Sequence, residues 1–403
     1  MSNNIRITKY IIDHKYCTNK LLDDSYKLLL KKGISCRIIE TILNSKNCSS
    51  KMLLNVDSNG NNCLAIAVYE NNINVAKKIL SSPYCTTDLF LHQNYDGLVF
   101  LGSELLSEKM LDVILNSPIF DTNVLRLKDK NQLNVLNYLL MKNKFNLVTK
   151  IMLSGKCPID VLKNEPSYAK SSIIVNMFNY DDNIINAILN MNIVTQEDIN
   201  QTDNVGNTCL HAYAKKLWNT MRFYNPETSI DDSITKKITK FGKYIDSDKF
   251  SEKLFEMQNE DGDTFLLINP HLTLTVLKSK YCTTKLLKIL NGNTNLFLQL
   301  YTHNRYYLGD FTRCKYFDKS FLTDDVGNSM NMISRMCIDE HDTILDSIID
   351  LSICTDDVIN FVDKSNYNPL AYAIMGGNKL TINKLINSKF DLTKSFSHID
   401  NNN

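Results

Sequence analysis

The sequence predicts an all-α fold: an α-solenoid of about ten helix-turn-helix repeats joined by short β-turn fingers. Three observations predict it. Glycine and proline are scarce, 13 and 7 in 403 residues, too few for the many tight turns of a sandwich or barrel. Apolar residues recur at helical spacing through most of the chain. A short segment also returns about every 36 residues, a period that belongs to repeat architectures.

The recurring segment is a Cys, then Ser or Thr, an apolar residue four positions on, and Asp or Asn nine positions on. Cys48 leads to Met52 and Asp57, Cys85 to Leu89 and Asn94, Cys282 to Leu286 and Asn291, and Cys354 to Val358 and Asp363. Phe120, Val194 and Phe250 head the same pattern, reaching Asp129, Asp203 and Asn259. Cys157 fits with Pro166 in the acidic place, and Phe317 fits with a loop two residues shorter that ends at Asp324. Cys17 and Phe390 head the first and last copies. Nine of the ten steps between heads measure 31 to 37 residues; the tenth, from Val194 to Phe250, measures 56 and marks an insertion.

Within each unit an apolar run such as Val75–Leu80, Met110–Leu115 or Ile344–Ile349 precedes the head. Its i, i+3/i+4, i+7 spacing turns one helical face toward a neighbour. After the Asp or Asn come a turn and a short helix such as Cys63–Val68. A single pair of this kind buries too little apolar surface to fold alone, so stacking is required. The Ser or Thr after the head, followed by Leu or Val, reads as an N-cap and predicts an added helical turn. The resulting organisation is a lead-in at 1–16, repeats at 17–214, an insertion at 215–234, repeats at 235–394, and a polar tail at 395–403.

The turn segments carry a resemblance. Asp203-Asn204-Val205-Gly206-Asn207-Thr208-Cys209-Leu210-His211 resembles the ankyrin consensus, in which Asp, Gly, Thr, Pro, Leu and His stand at these intervals. Asp57 to Ala67, Asn259 to Leu266 and Asp363 to Ala373 resemble it too, so the likeness covers roughly residues 15–395. In physical terms the acidic side chain closes the turn, Gly supplies positive φ at the tip, and Thr caps the following helix. The tip Gly is replaced by Gln132, Ala169, Thr294 and Asn366, and Asn331 stands where Leu is expected. The fingers near 166, 291 and 324 are accordingly expected to be irregular. The long, Asn-rich repeat resembles the ankyrin proteins of giant DNA viruses of amoebae.

The family likeness implies a non-enzymatic scaffold that offers a concave surface to a protein partner. The variable residues flanking the tip would project into it: Ser58, Asn59 and Asn61; Asn204, Val205 and Asn207; Glu260, Asp261 and Asp263; Lys364, Ser365 and Tyr367. The insertion adds Trp218, Arg222 and Tyr224, residue types enriched at binding hot spots. Two alternatives stay open: an adaptor that recruits a ubiquitin-ligase-type machine, and a structural component of a particle.

Other chemistry is not expected. Basic and acidic residues balance at 45 and 44, which argues against a dedicated nucleic-acid or membrane-surface binder. No phosphate loop, nucleophile elbow or kinase motif occurs, and no cofactor is expected. His14-x-x-Cys17 has metal-like spacing but no second pair nearby, so no metal site is expected either. Six of eleven cysteines occupy the head position, which also accepts Phe or Val. Such a site is a core site where Cys packs as a small hydrophobe, in a protein expected to be intracellular and monomeric.

Overall fold

The computed structural model describes residues 20, 23–24, 26–27, 36–164, 171–221, 232–292, 294–303, 307–325, 330–339 and 342–402. The lead-in, Cys17, Pro166, Ala169, Arg222 and Tyr224 lie outside them. The described residues form helices and turns, with two isolated β-bridges, Asn291 with Thr294 and Asp325 with Asn331. None of these helices is long and apolar enough to cross a membrane. The chain divides into two compact units, 1–198 and 199–403.

In the first unit the repeat that begins at Asp57 shows the local logic. The turn closes when Asp57 N–H donates to the Asn61 carbonyl (3.0 Å) and Gly60 N–H to that of Asp57 (3.1 Å). The Asp57 carboxylate accepts the N–H groups of Asn59 and Asn61, both at 2.8 Å. Helix α1 (Cys63–Tyr69) follows, then a turn through Asn71 at φ 49°, then α2 (Ile73–Leu80). Cys63 through Val68 are all buried, as are Val75, Ala76, Ile79 and Leu80 on one face of α2. At about 1.5–3 kcal/mol for each large apolar side chain buried, these two helices supply the unit's local share of the core.

A third helix, α3 (Thr87–Leu91), completes the repeat. The added turn expected after the head is thus a helix in its own right, and it recurs. It appears at Ser50–Leu53, as a 3₁₀ turn at Thr122–Leu125, and at Ile159–Lys163 in the first unit. In the second unit it appears at Glu252–Glu256, Thr284–Leu287, Ser320–Thr323 and Asp356–Ile359. The predicted hydroxyl caps operate at Ser49, Ser251 and Thr283, which accept the N–H of Met52, Leu254 and Leu286.

The head positions Cys48, Cys157, Val194, Phe250, Cys282, Phe317 and Cys354 are buried, while Cys85, Phe120 and Phe390 are half-buried. The cysteines of the described residues are all free thiols. Burial pushes those of Cys157, Cys282 and Cys354 up to about 12. At neutral pH they are un-ionised and pack as apolar groups.

The tips that lack glycine take two forms, and the finger near 291 is irregular, as expected. Gln132 and Asn366 hold φ 64°, so these fingers keep the glycine geometry without glycine. Thr294 is not a tip. The turn there is one residue shorter, closed by reciprocal bonds between Asn291 and Thr294 (2.9 and 3.0 Å), and Gly292 takes the positive φ. Asn331 is not in a core place either. It caps Met332–Ile338 by accepting the Ser334 N–H at 2.8 Å, and Met332 and Ile333 enter the core instead.

In the second unit the insertion lengthens two helices. Helix α4 (Cys209–Met221) and helix α5 (Asp232–Tyr244) each run 13 residues. They are locked by Tyr213, whose ring stacks on Phe241 at 5.3 Å and whose hydroxyl donates to the Lys237 carbonyl at 2.6 Å.

Candidate interaction surface

The fingers are joined to one another by their side chains. Asn61 Nδ2 donates to Asp57 at 3.1 Å, and Asn94 Nδ2, from the next finger, donates to Asn61 Oδ1 at 3.2 Å. In the second unit the same bonds run from Asn207 to Asp203 (3.0 Å) and from Asn259 to Asn207 (3.1 Å). Asn291 then donates to Asp263 at 2.7 Å. Backbone bonds run alongside, Tyr95 N–H to the Asn59 carbonyl and Glu260 N–H to that of Val205, both at 3.1 Å. Gly60 shows why the tip is tight. Its φ is +81°, and an added Cβ would lie 2.8 Å from the Tyr95 backbone nitrogen.

This ladder divides the residues that the sequence placed in the groove. Asn61 and Asn207 are buried at 6% and 5% exposure, and with half-buried Asp263 they hold finger to finger. Their side chains are engaged within the protein because a residue after the tip points along the stack toward the next turn. Ser58, Asn59, Asn204, Val205, Glu260, Asp261, Lys364, Ser365 and Tyr367 are exposed. Lys364 pairs with Asp325 at 2.9 Å, and Tyr367 packs edge-on against Tyr372 at 5.7 Å.

In the first unit the exposed tips border a groove of about 610 Å³. Ser58, Asn59 and Asp96 form its finger wall, Tyr95 its far end, and Tyr69 and Glu70 its wall on α1. Tyr95 is 62% exposed. Burial, with Tyr138 and Asp57 nearby, raises the Tyr69 hydroxyl above its ordinary value, so this ring is a neutral phenol that can donate. The sequence reading missed Tyr69, Tyr95 and Asp96. Their signal was available, since Tyr95 and Asp96 stand beside Asn94 as Ser58 and Asn59 stand beside Asp57.

In the second unit Trp218, 37% exposed, approaches His271 with ring centroids 6.3 Å apart. His271 in turn meets Tyr307 edge-on at 5.4 Å, with Nδ1 and the hydroxyl 3.3 Å apart. Burial pushes the His271 imidazole down to about 4, so it is neutral at physiological pH. His211 is buried and joins two fingers. Nδ1 accepts from the Thr208 hydroxyl at 2.8 Å, and Nε2 donates to the Asp263 carbonyl of the next finger at 2.9 Å. Among the described residues no group of His, Cys, Asp and Glu has the geometry to hold a metal ion.

Comparison of the sequence with protein-family models and with curated proteins finds no match.

Proposed function

We propose that this chain is a non-catalytic interaction scaffold of the ankyrin kind, binding a protein partner in the groove beside its fingers. The observation that carries the reading is the groove itself, walled by two successive fingers and α1. The ladder bonds and the paired backbone fix the finger spacing before any partner arrives, so little ordering entropy opposes binding. Tyr69 and Tyr95 supply the broad, half-polar surface from which such sites draw most of their affinity. Around them the amide of Asn59, the Ser58 hydroxyl and the carboxylates of Glu70 and Asp96 offer donors and acceptors to a folded or extended polypeptide.

A photo-crosslinking residue placed at position 95 tests this, with a second at position 153. Leu153 is 60% exposed but lies on a second-helix surface of the same unit, outside the groove. In extract of the native host cell, position 95 should yield a discrete protein adduct that Tyr69→Ala abolishes, and position 153 should not. Equal labelling at both positions would remove the groove from consideration.

A further inference from the structure

The second unit carries a concentration of charge that the balanced composition hides. Residues 209–244 hold seven basic and three acidic side chains, in a chain whose net charge is +1. Six of the seven are lysines on the two lengthened helices: Lys215 and Lys216 on α4, and Lys236, Lys237, Lys240 and Lys243 on α5. Apolar packing joins the pair, with Tyr213, Leu217, Ile234, Phe241 and Tyr244 all buried. Lys216, Lys236 and Lys243 are exposed. The cluster is close-set: Lys237 Nζ on α5 lies 3.5 Å from the Thr220 hydroxyl on α4, and burial, with Lys237 and Lys240 nearby, pushes the Lys216 ammonium down. Among the described residues Lys215 and Lys236 form no ion pair. Packing explains the length of these helices but not the local excess of basic residues along them.

We infer that the α4–α5 pair is a docking surface for a carboxylate-rich polypeptide segment of a partner protein. Charge complementarity identifies the occupant. Lysine is a mobile point charge that does not demand the planar, bidentate fit of arginine, so it suits the flexible carboxylates of a polypeptide arriving in varied geometry. A nucleic acid would need a longer basic track, because its affinity accumulates over many phosphates, and outside residues 209–244 the chain carries more acidic than basic residues. This surface is separate from the groove of the first unit and does not rest on it.

The test uses the single tryptophan, which lies on α4 one turn beyond Lys215. The full chain is titrated with deca-glutamate while Trp218 emission and the anisotropy of the labelled peptide are followed. Saturable binding is expected, weakening about fivefold or more between about 50 and about 300 mM NaCl as the charges are screened. Lys236→Glu with Lys237→Glu should weaken it by about tenfold or more, and Lys253→Glu, an exposed lysine on Glu252–Glu256, should not. The Tyr213 bond goes to the Lys237 backbone carbonyl, so the double variant keeps it. If circular dichroism shows that this variant unfolds, Lys236→Gln with Lys237→Gln carries the test, with a loss of about threefold or more expected. An absence of binding, equal affinity in the folded variant, or tighter binding of decathymidylate than of deca-glutamate would each overturn the proposal.

Discussion

Asn94 reaches across to Asn61, amide to amide at 3.2 Å, and joins two turns 33 residues apart in the chain. The bond recurs between Asn259 and Asn207, whose sequence separation is 52 because the insertion lies between them. The geometry of the stack is therefore indifferent to what is inserted beyond the turn. Asn207→Ala would leave the buried Asn259 amide without its acceptor and remove the bond to Asp203. A loss of about 1–3 kcal/mol is expected, measured by urea denaturation of the full chain, with Asn204→Ala, exposed at the same tip, staying within about 0.5 kcal/mol.

Gly60 and Gly155 separate two costs that are usually mixed. Both have positive φ, +81° and +72°, but a Cβ at Gly60 meets the Tyr95 backbone at 2.8 Å while one at Gly155 meets nothing within 4 Å. Gly155→Ala should cost about 1–2 kcal/mol, the left-handed penalty alone. Gly60→Ala should exceed it by about 1 kcal/mol or more, because the finger holding Tyr95 must shift. Thermal unfolding of the two variants checks the order, and equal costs would show that the finger gives way freely.

Asn62 caps α1 and does more. Its Oδ1 accepts the Ala65 N–H at 2.9 Å, and its Nδ2 donates to the Leu89 carbonyl on α3 at 2.8 Å. Asn134 and Asn368 make the same pair of bonds to residues 27 positions on, Val161 and Ser395. Asn72, by contrast, only caps α2 through the Val75 N–H. Asn72→Ala should cost about 1 kcal/mol, the ordinary value for a cap, and Asn62→Ala about 2–3 kcal/mol, since the buried Leu89 carbonyl also loses its donor. Chemical denaturation curves for the two variants compare them directly.

The helices, the period and the head position were legible because each is written in apolar spacing. Cys, Phe and Val share one buried place, and that tolerance identified the place as core. The finger-to-finger bonds were not legible. Asn61 and Asn59 are the same residue type two positions apart, and only the direction of the chain after the tip separates a buried rung from an exposed contact. The Asn62 cap was hidden differently. Family likeness directed attention to Thr at that place, as in Thr208 and Thr264, whereas Asn serves at 62, 134, 331 and 368. Asn at five residues beyond the finger Asp was the available signal at three of them. At Asn331 the spacing is longer, which is why the residue was placed in the core.

His271 gives the protein a defined weakness toward acid. Its imidazole titrates at about 4 in the folded protein because burial disfavours the charged form, against about 6.5 in an unfolded chain. Between these values the unfolded state binds more protons, so stability rises with pH there. The contribution is fully present above about 6.5 and is lost as pH falls toward 4, by at most about 3 kcal/mol and less where solvent reaches the ring. His211 is shifted in the same direction by burial and by Lys215 and adds to the effect. His271→Gln cannot take up the proton, so its unfolding midpoint should fall less steeply between pH 6.5 and 4 than that of the parent chain. The difference should appear together with a change in Trp218 emission, because the indole lies 6.3 Å from the ring that becomes charged. Parallel pH profiles for the two proteins would mean that His271 stays accessible to protons in the fold, and the acid sensitivity would then belong to His211.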